Sequence, residues 1–178
     1  MLPHALCNHL CSLNPNETKL SFSCMFCVDK HGELIKDGKH QPYFRKTIMT
    51  TCCRLNYDEV QEIYDGLEPS EGYPPVYIGA KWEDIEKDLF TILRVCTKIR
   101  EARFRNGAMA MQKVKMVFHT KDGTDGVPTG YHYEHNSASH WVIEELMLLA
   151  NQCVGRHEQV NEVLGDLAIL RNHPPPDP

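Results

Sequence analysis

The sequence predicts an α+β fold built from hairpins and packed helices. Three observations carry this. Two stretches, around 19–35 and 113–135, alternate apolar and polar residues before Gly/Asp-rich turns. Two others, about 82–105 and 139–153, carry apolar residues at helical spacing. The chain lacks the regular strand–helix alternation of a doubly wound sheet, and a mixed sheet with hairpins fits better.

The elements follow in order. Residues 2–12 suit a short helix or turn. In "KLSFSCMFCVD", Leu20, Phe22, Cys24, Phe26 and Val28 fall on one face of a half-buried strand. "DKHGE" supplies its turn and "ELI" begins a return. "YFRKTIMTTCCRL", rich in Thr and Ile, is a further strand. Asn56 offers an N-cap, "YDEVQEIYD" a short helix with early acids, and Gly66 its stop. Residues 67–80 hold three prolines and form a loop. The long helix over 82–105 presents Ile85, Leu89, Ile92, Cys96 and Ile99 as an apolar stripe, and "NG" at 106–107 ends it. "KVKMVFHTKDGTDGVPTGYHYEH" reads as a hairpin. The last helix begins at a Ser137 or Ser139 cap, and the prolines of "ILRNHPPPDP" cannot continue a helix.

The bulk properties narrow the function classes. The 178 residues and 42% hydrophobic content suit one domain or most of one. No apolar run is long enough to span a membrane. The opening residues lack a secretory pattern, so the eight cysteines are expected as thiols in a reducing compartment, cytoplasmic with the nucleus also open. The "NET" sequon at 16–18 is then idle. A net charge of −5 argues against a generally basic nucleic-acid binder. Charge is uneven, however. From Arg94 to Lys115 there are seven Lys or Arg residues, Arg103 and Arg105 among them, against the single acid Glu101. Such a stripe tracks phosphate or is simply a solvated helix face.

The last helix holds an anomaly. Glu144 and Glu145 interrupt its most apolar run. By helical spacing, Val142, Ile143, Leu146, Met147 and Leu149 share a broad apolar arc, Trp141 and Leu148 form an opposite ridge, and one glutamate flanks each side of that ridge. Asn151 lies two turns from Glu144, nearly in line with it. Such acids are solubilising, are paired with an arginine, or face a ligand such as a sugar hydroxyl or a metal.

Metal-binding and nucleophilic patterns are weak. Cys24 and Cys27 form a C-x-x-C, but on a strand their thiols face opposite sides. Cys7 and Cys11, with His4 and His9, make a zinc-stabilised interaction module conceivable. "YHYEH" at 131–135 is one residue short of an inverted zinc-protease motif and reads as strand. His140 and Glu144, at i and i+4, suit a surface hydrogen bond better than a shared metal. Phosphate-loop, dinucleotide and nucleophile-elbow motifs do not occur. The residues alone offer no complete catalytic set.

Several phrases in order carry a resemblance. "MLPHALCNHLCSLNP", "LNYDEVQ", "RNGAM", "VIEELMLLANQCV" and "ILRNHPPP" resemble segments of the ribonuclease II (RNB) family of 3′-to-5′ exoribonucleases. Together they run from end to end of the chain and look most like the eukaryotic exosome-nuclease branch. The resemblance implies residues 1–178 as the middle of an RNB catalytic domain, truncated at both ends. It implies magnesium-dependent hydrolysis of single-stranded RNA. Its aspartate cluster and catalytic arginine fall outside this chain, so no catalytic or metal-ligating residue is assigned here. Tyr57 and Glu144 match residues that line the site around the terminal nucleotides and help select ribose; Asn151, Arg103 and Arg105 join them as RNA-binding candidates. Glu145 is the second glutamate, with a less clear role. Expected partners are single-stranded RNA and the exosome or a second chain carrying the rest of the domain. The alternative is an inactive RNA-binding or regulatory remnant.

Overall fold

In the computed structural model, residues 2–109, 115–120, 126–134, 136–157 and 159–167 are described. The chain opens with a short π-helical turn, Ala5–Leu10. Strand β1, Thr18–Met25, pairs antiparallel with β2, Tyr43–Thr50, so that Leu20 faces Ile48 and Cys24 faces Phe44. Helix α1 is Tyr57–Tyr64 and helix α2 is Trp82–Arg105. A second antiparallel pair joins β3, Lys115–Thr120, to β4, Pro128–Glu134. Helix α3 is Ala138–Gly155. The α+β class with hairpins and packed helices holds. Among the described residues the strands form two separate two-stranded sheets rather than one mixed sheet. The "ILRNHPPP" phrase lies outside the described residues.

The core sits where α2 crosses α3. Ile99, Leu149 and Cys153 are buried there, and Cys24, Phe26, Val28, Leu34, Phe44 and Val95 close over them. The long helix keeps the bounds its stripe predicts, with Cys96, Ile99 and Ala102 buried. Asn106 caps its C-terminus and Gly107 follows at φ +94°.

Two expectations are corrected. First, "ELI" is not the main return of β1. Only an isolated bridge, Val28 to Leu34, forms there, and β2 takes the strand pairing. Asp29 instead organises a turn, its Oδ1 accepting the backbone N–H groups of His31 at 2.8 Å and Glu33 at 2.9 Å. Those two donors hold its carboxyl below the usual range, Glu33 first. The turn brings Gly32 (φ +84°) against α2 so closely that a Cβ would lie 2.2 Å from the Lys98 carbonyl.

Second, the apolar face of β1 is covered only at its far end. Leu20 and Phe22 are exposed, while Ser21, Ser23 and Thr47 share hydroxyl bonds of 2.7 Å on the opposite face. Alternation identifies the face of a strand; it does not say how far along the strand the core extends.

Candidate functional site

Helix α3 presents different residues to the core than its broad arc suggests. Val142, Glu145, Leu149 and Cys153 are buried, whereas Ile143 and Met147 are exposed. The buried stripe is the one α2 covers, and a helix apolar on most sides cannot announce that choice by periodicity. Glu145 is 1% exposed. Arg103 reaches it from α2 with Nε to Oε2 at 2.9 Å and Nη2 to Oε1 at 2.6 Å, and Arg100 Nη1 adds a bond of 2.8 Å to Oε1. Arg100 also lies over the Trp141 ring, 5.4 Å from its centroid. Burial pushes the Glu145 carboxyl up, but the two guanidiniums outweigh it and hold it below the ordinary value.

Glu144 faces the other way and is exposed. It shares that face of α3 with His140, one turn before it, and with exposed Asn151, two turns after it. His140 draws Tyr57 to this face. The two rings stack with centroids 4.2 Å apart and planes 13° from parallel. The hydroxyl of Ser137 and His140 Nδ1 share a hydrogen bond of 2.7 Å.

Local sequence explains why Tyr57 is there. It is the first residue of α1, between the two members of an Asn56–Glu59 capping box. Asn56 Oδ1 accepts from the Glu59 N–H at 2.8 Å, and Glu59 Oε2 accepts from the Asn56 N–H at 2.6 Å. The N-terminus of α3 is tied to α1 as well. Gln61 Oε1 accepts the Ser139 N–H at 3.1 Å. Ser137 holds the N-cap position without a side-chain cap bond, its hydroxyl being directed to Ser139 and His140. Beside the stack opens a cleft of about 800 Å³, lined by Asn56, Tyr57, Tyr64, Leu89, Val142 and Ile143 among others.

The structure therefore places Tyr57 against His140 in the first turn of α3, with Glu144 one turn and Asn151 three turns further along the His140 face. Arg103 and Arg105 stand apart from them. Arg103 is bound to Glu145, so its guanidinium first serves the α2–α3 interface. Arg105 is half-exposed, donates to the His31 carbonyl at 3.2 Å and lies 3.9 Å from Glu33. Lys98 pairs with Glu101 at 2.7 Å. Much of the basic stripe is thus matched by carboxylates. Sequence reasoning missed the Tyr57 stack on His140; its one signal was the spacing of His140 and Glu144.

Among the described residues, no three His, Cys, Asp or Glu side chains are grouped to hold a metal ion. The magnesium implied by the resemblance has no ligand set there. The same holds for zinc at Cys7 and Cys11, which are exposed on the first turn, with His4 bonded to Asn8 at 2.6 Å. No helix of the described residues is long and apolar enough to cross a membrane.

The family model for the RNB domain matches residues 1–178. The chain belongs to the RNB family. It is 35% identical over 178 residues to a DIS3-like exonuclease 2 of Schizosaccharomyces pombe, covering 99% of this chain and 18% of the relative. It is 31% identical over 179 residues to a protein of Arabidopsis thaliana named inactive exonuclease DIS3L2, covering 99% of this chain and 16% of that one. This RNB chain thus spans less than a fifth of the length of these two relatives. Its fold matches the Mycoplasma genitalium RNase R in complex with ribose methylated single-stranded RNA, with a TM-score of 0.71 at 20% identity, over 94% of this chain and 23% of that one.

Proposed function

We propose that this chain is the RNA-selecting segment of a magnesium-dependent 3′-to-5′ exoribonuclease, and that the aspartate cluster and catalytic arginine come from elsewhere in a longer polypeptide or from a second chain. The observation that carries the reading is the Tyr57 ring, which lines the 800 Å³ cleft and stacks on His140, one turn before the exposed Glu144 of α3. A phenol and a carboxylate on one wall can hydrogen-bond a 2′-hydroxyl, the group that separates RNA from DNA. Asn151 extends the wall as a further donor and acceptor. Arg105, and Arg103 with whatever charge its pairing with Glu145 leaves, are the cations offered to phosphate. The RNase R relative bound to single-stranded RNA supports that substrate class. The exosome remains a candidate partner through the family branch.

A second reading has a specific observation behind it. A relative 31% identical over nearly the whole chain is named an inactive exonuclease. On that reading the chain binds RNA without cleaving it.

One experiment addresses both. The chain, and a longer polypeptide that adds an aspartate cluster, are incubated with 5′-labelled single-stranded RNA with and without magnesium. The exonuclease reading expects binding by the short chain, and stepwise shortening from the 3′ end only by the longer one. Shortening by neither supports the inactive reading. Equal affinity of the short chain for RNA and DNA overturns the ribose-selecting wall.

A further inference from the structure

His140 is a positioning residue, we infer, that holds the Tyr57 phenol in the lining of the cleft and so sets the preference for RNA over DNA. The inference rests on the reading of Tyr57 as an RNA-contacting residue and adds a residue to it.

Tyr57 begins α1 and is 46% exposed. A half-exposed aromatic at a helix N-terminus has open rotamers, since the turn before it is absent. Its capping box fixes the backbone and leaves the ring free. What selects one ring position is the His140 face, nearly parallel at 4.2 Å. His140 is itself held. Its Nδ1 shares a 2.7 Å hydrogen bond with Ser137, and the backbone one residue earlier is anchored to α1 through Gln61. Orientation therefore passes along a chain of contacts, Ser137 to His140 to Tyr57. The far end of that chain is the Tyr57 ring, which stands in the lining of the cleft. One face of the Tyr57 ring is covered by the imidazole, while the residue also lines the cleft. The pair thus orients a polar group without closing the space a nucleotide would occupy.

The test compares binding of a 5′-labelled oligouridylate and its deoxy counterpart by the chain and its His140→Ala, His140→Phe and Tyr57→Phe variants, with thermal unfolding measured in parallel. His140→Phe keeps a stacking ring and loses only the Ser137 bond. Tyr57→Phe keeps the stack and removes the hydroxyl. The wild-type chain is expected to prefer RNA. His140→Ala is expected to lower the RNA-to-DNA affinity ratio by about two- to tenfold, the range an aromatic pair supports. His140→Phe is expected to retain most of the ratio. A purely structural role would weaken RNA and DNA binding alike and leave the ratio unmoved. A folded His140→Ala that keeps the wild-type ratio, while Tyr57→Phe loses it, overturns the role of His140 and leaves the ribose wall standing. Should His140→Ala unfold, a folded His140→Phe that loses the ratio overturns the stack. A wild-type ratio of one overturns the ribose wall and the inference together.

Discussion

Arg103 on α2 grips Glu145 on α3 through two hydrogen bonds, 2.9 Å from Nε and 2.6 Å from Nη2, while the adjacent Glu144 is left exposed. Two neighbouring glutamates thus stand in separate environments, one inside the helix interface and one on the exposed face of α3. Removing a single partner from a buried ion pair leaves the other charges uncompensated and costs about 3 to 5 kcal/mol. Glu145→Ala is therefore expected to destabilise the chain by about that amount, because Arg100 and Arg103 would both lose their acceptor. Glu144→Ala is a surface change and should stay within about 0.5 kcal/mol. Urea denaturation of both variants checks this. Equal losses would mean that the two side chains are not divided as described.

The same carboxylate predicts a pH dependence. Its folded value lies below its unfolded one, since the guanidiniums outweigh burial. The unfolded chain then binds the proton more readily, so stability rises with pH across this interval. The contribution is complete above the ordinary glutamate range and is lost as pH falls through the folded value. Glu145→Gln should show a shallower loss of stability below about pH 5 than the unmutated chain. Parallel acid limbs in denaturant midpoints measured from pH 7 to pH 3 would assign the acid sensitivity to other groups.

Much of this arrangement is legible in sequence, and the illegible part has a physical cause. The bounds of α2 follow from its stripe and the Asn106–Gly107 stop, and the start of α1 follows from Asn56 and Glu59. These are local signals, decided within a few residues. The burial of Glu145 is not local. It depends on Arg100 and Arg103, more than forty residues away, arriving on the face of α3 that α2 covers. A helix with apolar residues on most sides gives periodicity little to decide between. The exposed Leu20 and Phe22 follow the same rule, since covering a strand face requires other elements to reach it.

Gly32 offers a sharper test of packing. Its φ of +84° already disfavours any side chain, and a Cβ would meet the Lys98 carbonyl of α2 at 2.2 Å. Backbone cannot swing aside as a side chain does. Gly32→Ala should therefore cost more than about 2 kcal/mol, combining left-handed strain with a forced shift of the 26–35 segment off α2. A variant as stable as the unmutated chain in thermal melts would show that this turn does not seat on α2.

The cysteines divide by environment. Burial, with the Glu145 charge adding to it, pushes the Cys96 thiol up to about 11. Burial and the neighbouring Cys24 push Cys153 up to about 11 as well. Thiolate is the reactive form, so both should resist alkylation near pH 8. Cys7, Cys11 and Cys27 are exposed and should react first. Timed iodoacetamide labelling read by peptide mass spectrometry separates the groups. Labelling of Cys96 as fast as Cys7 would mean that the α2–α3 interface opens readily.

The capping box connects local structure to the stack of Tyr57 on His140. Asn56 and Glu59 satisfy each other's backbone N–H groups at 2.8 and 2.6 Å, and Tyr57 sits between them as the first residue of α1. Loss of such a cap costs about 1 kcal/mol. In a helix of eight residues the loss is felt at the first turn, because the turn has few other bonds to hold it. Asn56→Ala is therefore expected to fray that turn and loosen Tyr57 from His140, lowering the preference for RNA over DNA alongside the modest loss of stability. Asn56→Asp restores an acceptor at the same position and should recover both. If Asn56→Ala lowers the melting temperature and leaves the affinity ratio intact, the stack on His140 holds Tyr57 without help from the helix start.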